Sequence, residues 1–158
     1  MSHGRPILVS VLSAAAVAIA GGAATRVGPW YEALEKPSFN PPNWLFAPAW
    51  TIIYVLCVVA AVLAWRAAGS SAHRAGILVL FYFNAVINVL WSVLFFTLQR
   101  PDWALAEVGV LWISIAAMIV FFHRFAKTSA LLLAPYLAWV SFAAFLNYHI
   151  VALNGPFG

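Results

Sequence analysis

Three sets of aromatic and carboxamide side chains recur along the chain at helical spacing. Trp50 and Tyr54 stand at i and i+4. Asn84, Asn88, Trp91 and Phe95 follow i, i+4, i+7, i+11, and Pro135, Trp139, Phe142 and Leu146 repeat that pattern with Asn147 alongside. Indole and phenol faces stack on flat conjugated rings, each good pair adding about 0.5–1.5 kcal/mol beyond simple area burial. Carboxamides bring a donor and an acceptor into otherwise apolar walls. This is the chemistry of holding a flat, greasy molecule. Bond-breaking machinery is missing: no nucleophile stands with a base, no acid and base are paired, and Cys57 is the single cysteine. His3, His73, His123 and His149 fall into no ligating pattern, so no metal site is expected and no cofactor is obligatory.

Between the first two hydrophobic stretches runs KPSFNPPNWLFAPAW, Lys36 to Trp50. Pro37, Pro41, Pro42 and Pro48 fix φ and remove backbone donors, which predicts a stiff, irregular, shaped lid containing Trp44 and Phe46. The flanking stretches are long enough to span a bilayer. Of 158 residues, 65% are hydrophobic and 8% charged, and the mean hydropathy is +0.96. Apolar runs of about 20 residues fall near 7–24, 46–65, 77–98, 103–122 and 130–153. None alternates with the period of a strand. The expectation is an all-α fold, one integral membrane bundle of five transmembrane helices spanning 1–158, with a Pro/Trp-rich first loop.

In such a bundle the second span runs away from the lid while the third and fifth run toward it. At about 1.5 Å rise per residue, the three stripes, Asn84 excepted, fall between the lid and the membrane midplane. One cavity under the lid would gather them. A plainer reading of the same residues stands beside this one. Tryptophans at span ends, such as Trp30, Trp44, Trp65 and Trp103, anchor helices at the interface. Intramembrane asparagines bond neighbouring helices for about 0.6 kcal/mol on average.

The first run has an alternative of its own, a cleaved secretory signal, because Arg5 precedes an alanine-rich core. Small residues at Ser10, Ala14, Ala18 and Gly22 favour a retained packing helix. Arg5, Arg66, Arg74, Arg124 and Lys127 share one side and Arg26, Lys36 and Arg100 the other, which in an inner membrane sets the lid outside. The net charge of +4 is ordinary flanking charge, with no basic run suited to nucleic acid. Glu107, the one carboxylate inside an expected span, is read as complementing its helix dipole. A single carboxylate makes an ion relay short of steps.

Taken together, these residues resemble the tryptophan-rich sensory protein and translocator protein family, whose mammalian members are also called peripheral benzodiazepine receptors. The match runs through Trp30, Tyr31, Leu34, Lys36, Pro37, Asn40, Pro41, Pro42, Trp44, Phe46, Pro48, Trp50 and Tyr54. It continues at Asn84, Asn88, Trp91, Phe95 and Phe96, and then at Pro135, Tyr136, Leu137, Trp139, Ala143, Leu146 and Asn147.

The resemblance implies a five-helix bundle, commonly a homodimer, that binds tetrapyrroles such as protoporphyrin IX and haem in sensing, sequestration or transport. Some members bind cholesterol or other lipid, or synthetic isoquinoline and benzodiazepine drugs. Carried over by position, Trp50 and Trp139 face the tetrapyrrole, Asn84, Asn88, Trp91, Phe142 and Asn147 line its site, and Trp44 and Phe46 belong to the lid. Lys36, Arg26 or the lid backbone would receive the propionates. Some bacterial members degrade porphyrin under light and oxygen, which would make the same two tryptophans the reactive ones. The implied location is a bacterial cell membrane, with an outer membrane also open. Two departures stand out: Phe39 replaces a tryptophan common in the family, and no Lys or Arg follows Tyr148 to complete the proposed cholesterol motif.

Overall fold

The structure, a computed structural model, describes residues 28–158. The expected first span, 7–24, lies outside them, as do Arg5 and Arg26. The described residues are helical, without a strand. They form a short α1 (Pro29–Ala33), a 3-10 turn (Asn43–Leu45), α2 (Phe46–Ala67), α3 (Ser71–Ser92) continued by a π-helical turn (Val93–Thr97), α4 (Pro101–His123) and α5 (Lys127–Asn154). Four helical stretches, Asn43–Ala67, Ser71–Thr97, Pro101–His123 and Lys127–Asn154, are long and apolar enough to cross a membrane. Of the five spans expected, the described residues therefore hold four.

Local chemistry sets the helix ends, and it moves one of them well away from the hydropathy boundary. The third span was expected to start at 77. Ser70, in extended conformation, accepts a hydrogen bond from the His73 backbone N–H at 3.2 Å, and this cap starts α3 at Ser71. Polar Ser71, His73 and Arg74 thus form the first turn instead of a loop. Pro29 and Pro101 sit at the first positions of α1 and α4, where a missing N–H costs nothing. Pro48 occupies the first turn of α2 for the same reason.

Short corners join α2, α3, α4 and α5 in antiparallel succession, and α5 lies between α2 and α4 while α3 closes on α4. The closest approaches use small residues. Ala60 and Ala64 on α2 are wholly buried, and the Ser129 hydroxyl of α5 donates to the Ala60 carbonyl. Ile115, Met118, Phe122 and Leu133 fill the centre with no exposed surface. Outward, Val79, Val86, Ile113, Val120 and Leu131 are 62–71% exposed. Apolar side chains on the outside as well as the inside mark a bundle whose outer solvent is lipid.

Candidate functional site

A cavity of about 420 Å³ lies at the lid end of the bundle, within the range of about 300–1,000 Å³ typical of small-molecule sites. Phe46, Trp50 and Tyr54 of α2 border it, together with Trp91 of α3 and Trp139 and Asn147 of α5. These six had been expected at the site. Trp50 stacks on Tyr54 at 5.5 Å and meets Trp139 edge to face at 6.5 Å, and Phe46 meets Trp139 at 6.0 Å. Trp91 stacks on Phe95 at 5.1 Å. The rings are therefore mutually braced, which lowers the entropy lost when a flat ligand settles against them.

Four expected site residues are placed elsewhere. Trp44 sits in the 3-10 turn after Pro42 and points outward, 71% exposed. Phe142 is half-buried beside the cavity, against Trp139 at 6.0 Å and Phe39 of the lid at 6.5 Å. Asn84 and Asn88 are buried deeper, where their amides are spent on other side chains. Tyr54 donates to Asn88 Oδ1 (3.1 Å), Asn88 Nδ2 to the Tyr136 hydroxyl (3.1 Å), and that hydroxyl to Asn84 Oδ1 (3.2 Å). Asn84 Nδ2 donates to Ser114 Oγ (2.8 Å), which donates to the Leu111 carbonyl (2.7 Å). One continuous chain of bonds thus links α2, α3, α5 and α4 beneath the cavity. It combines the glue reading of the asparagines with a direct connection to a cavity wall.

Other cavity and network residues were not singled out as site residues from sequence: Tyr31, Ser92, Phe96 and Ala143 on the walls, and Tyr136 and Ser114 below. The signal for Tyr136 was present. Tyr136, Val140, Asn147 and Ile150 form the buried stripe of α5, whereas the stripe drawn through Pro135 starts on an exposed residue. Phe96 owes its place to the π-helical turn, where Leu98 N–H bonds the Val93 carbonyl at 2.9 Å, five residues back. The wider turn brings both Phe95 and Phe96 to the cavity.

The lid packs down through its own contacts. Tyr31, 3% exposed, lies against Phe95 and Phe96 at 6.3 and 5.5 Å. Burial raises its phenol pKa above the ordinary 10.0, and a bond to Asn40 partly offsets this. Phe39 stacks on Phe145 at 5.3 Å on the flank of α5, outside the cavity. Lys36, expected to meet an anion, donates to the Glu32 and Leu34 carbonyls at 3.2 and 3.0 Å and sits 4.7 Å above the Tyr31 ring. Arg100, at the α3–α4 corner, pairs with Asp102 and lies 4.1 Å from the Trp103 ring. Neither carboxylate oxygen of Glu107 has a partner, although both are enclosed, so burial and not solvation surrounds this group. Among the described residues no cluster of His, Cys, Asp or Glu suits a metal ion.

A lidded aromatic cavity inside antiparallel membrane-spanning helices defines a multi-pass integral membrane protein built around a small-molecule-sized site. Comparison with known proteins sharpens this. Residues 9–153 match the TspO/MBR family, and the chain belongs to that family. It is 40% identical over 150 residues to the tryptophan-rich protein TspO of Archaeoglobus fulgidus, covering 94% of this chain and 96% of that one. It is 37% identical to Protein CrtK of Rhodobacter capsulatus, covering 89% and 88%. It is also 33% identical over 120 residues to the human translocator protein, covering 75% and 71%.

Proposed function

We propose that this protein binds a tetrapyrrole, protoporphyrin IX or haem, in a bacterial cell membrane and acts in sensing, sequestration or transport, as a homodimer. The observation that carries the reading is the set of three indoles, Trp50, Trp91 and Trp139, bordering one cavity together with Tyr54. A flat macrocycle can stack on one of those faces while meeting the others edge-on, as Trp50 and Trp139 themselves meet. Micromolar affinity corresponds to about −8 kcal/mol, and several pairs of about 0.5–1.5 kcal/mol on top of apolar burial supply it. The missing Lys or Arg after Tyr148 argues against sterol as the main ligand, leaving lipid handling as a weaker alternative.

Titrating the purified protein with protoporphyrin IX and haem tests the reading. Saturable binding is expected, weakened at least tenfold in the Trp50→Phe, Trp139→Phe double variant. Unchanged affinity in that variant would remove the cavity from the account.

A second reading, light- and oxygen-dependent porphyrin degradation, draws on the 6.5 Å approach of Trp50 and Trp139, which sets two oxidisable indoles beside the ligand. The excited porphyrin would supply the reactivity and molecular oxygen the oxidant. Illumination in air should then yield a product whose formation saturates with porphyrin and disappears in the double variant. Bleaching at the same rate with and without protein sinks this reading.

A further inference from the structure

The end of the bundle away from the lid, formed by the α2–α3 and α4–α5 corners, carries charge of one sign. Arg66 stands in the last turn of α2, Arg74 in the first turn of α3, Arg124 just after α4, and Lys127 opens α5. All four carboxylate side chains of the protein lie toward the lid: Glu32 and Glu35 in the lid itself, Asp102 and Glu107 in the first two turns of α4. Asp102 is already paired with Arg100 there. At about 1.5 Å per residue, Glu107 is roughly 24 Å from the far end of α4, well past a screening length of about 8–10 Å. The two corners are held as one surface, because His73 meets Phe125 at 5.1 Å, Phe125 meets Phe121 at 5.2 Å, and the Ser129 hydroxyl bonds the Ala60 carbonyl.

Two of the four cations are explained from within. Arg66 and Arg124 stand at helix C-termini, where positive charge complements the dipole. Arg74 and Lys127 stand at helix N-termini, where the same dipole repels them, and neither first turn supplies an acidic side chain. This end therefore lacks a counter-anion that the chain itself does not provide.

What surrounds the cations identifies the source of that anion. The Arg74 guanidinium lies 5.8 Å from the Trp65 ring, and a tryptophan at the end of a span marks headgroup depth. One turn nearer the midplane, exposed Leu131 stands at i+4 from exposed Lys127, and exposed Val120 at i−4 from exposed Arg124. Each pair sets a cation beyond an apolar strip on the same helix face, the profile of a lipid with its phosphate above its acyl chain. A soluble anion would use the cations alone. We propose that this end of the bundle binds anionic phospholipid, with Arg74 and Lys127 each receiving a headgroup phosphate and the Val120 and Leu131 faces taking acyl chains. The surface is separate from the cavity, and its occupancy does not depend on what the cavity holds.

Thermal melts of the purified protein in a neutral detergent test it, with dioleoyl phosphatidylglycerol, dioleoyl phosphatidylcholine, glycerol phosphate and an oligo-glutamate peptide added in turn. Phosphatidylglycerol should raise the melting temperature by about 2–4 °C more than phosphatidylcholine with the same chains, and the two soluble anions should leave it unchanged. The difference between the lipids should disappear in the Arg74→Gln, Lys127→Gln double variant, whose fold is spared because the substitutions remove charges that the helix dipoles repel. Raising sodium chloride from about 0.1 to about 1 M shortens the screening length from about 10 to about 3 Å and should remove the difference from the wild-type protein, a readout that needs no variant. Equal effects of the two lipids on the wild-type protein would reduce the contact to acyl chains and overturn the proposal. So would a rise with glycerol phosphate or oligo-glutamate, which would make the partner soluble, and so would an undiminished difference in the double variant or at high salt.

Discussion

The side-chain amide of Asn154, at the last turn of α5, pairs with the backbone of Glu35 on both sides, across 119 residues of chain. Its Oδ1 accepts from the Glu35 N–H at 2.8 Å and its Nδ2 donates to the Glu35 carbonyl at 2.9 Å. The same Nδ2 also meets the Ile150 carbonyl at 2.9 Å, which fixes the amide plane. This is a two-point clasp between the lid and the end of the bundle. Asn154→Ala should speed hydrogen exchange of the Glu35 amide about tenfold, each lost bond being worth about 0.5–1.5 kcal/mol. The exposed setting keeps the effect on global unfolding under about 1 kcal/mol. Amide exchange by mass spectrometry on lid peptides reads it, and unaltered lid exchange would show that the clasp holds nothing.

Beneath the cavity, Tyr136→Phe deletes the hydroxyl at the middle of the bond chain, leaving Asn88 Nδ2 and Asn84 Oδ1 without partners in a buried site. Stranding two polar groups outweighs the roughly 0.6 kcal/mol average for one interhelical bond in a membrane, so a loss of about 1–3 kcal/mol is expected. Adding Asn84→Leu to Tyr136→Phe should cost less than the sum of the single changes, because each removes the other's orphan. Thermal melts in detergent measure both, and strict additivity would deny that the residues form one network.

Tyr31 makes the lid sensitive to alkali. Its buried phenol ionises above 10.0 in the folded protein and near that value in the unfolded chain. The folded state therefore binds more protons than the unfolded one at pH values just above 10.0, and stability falls as pH rises through that region. Well below pH 10.0 the phenol is neutral in both states and the contribution is constant. Tyr31→Phe should flatten this alkaline loss, as followed by melting temperature against pH; an identical profile in the variant would assign the loss to other groups.

At the α3–α4 crossing, Gly76 carries no side chain because Phe121 fills the space: a Cβ there would meet Phe121 Cζ at 2.8 Å. Gly76→Val should destabilise by about 1–3 kcal/mol through overpacking. Phe121→Ala opens a hole of its own, and combining the two should recover part of each loss. Melting of the three variants checks this, and a double variant no better than the worse single one would refute the steric account.

The long runs of the bundle were legible because leucine, valine and alanine on every face leave a membrane helix as the one element that satisfies its own backbone. Six of the ten expected site residues border the cavity because an i, i+4 pattern is a geometric fact wherever the helix is regular. Legibility failed where another interaction decides. Ser70 extends α3 past the hydropathy boundary, and the π-helical turn resets the phase that would have located Phe96. On α5 the choice between neighbouring stripes hung on one polar residue, and tracing through Asn147 instead of Leu146 would have reached Tyr136. Trp44 misled because its type suits a pocket while its 3-10 turn, set by the preceding prolines, aims it outward. The Asn154–Glu35 clasp joins residues too far apart for any local pattern to connect.

The direction of the buried chain of bonds is dictated from one end. The Leu111 carbonyl can only accept, so Ser114 must give its hydrogen there and receive one from Asn84. That orientation turns the Asn84 oxygen to the Tyr136 hydroxyl, the Tyr136 oxygen to the Asn88 nitrogen, and the Asn88 oxygen to Tyr54. Tyr54, the member of the series that reaches the cavity, has thereby committed its only hydrogen inward. A main-chain oxygen two helices away thus gives the floor of the chamber a fixed polarity: toward any guest, the phenol presents lone pairs alone.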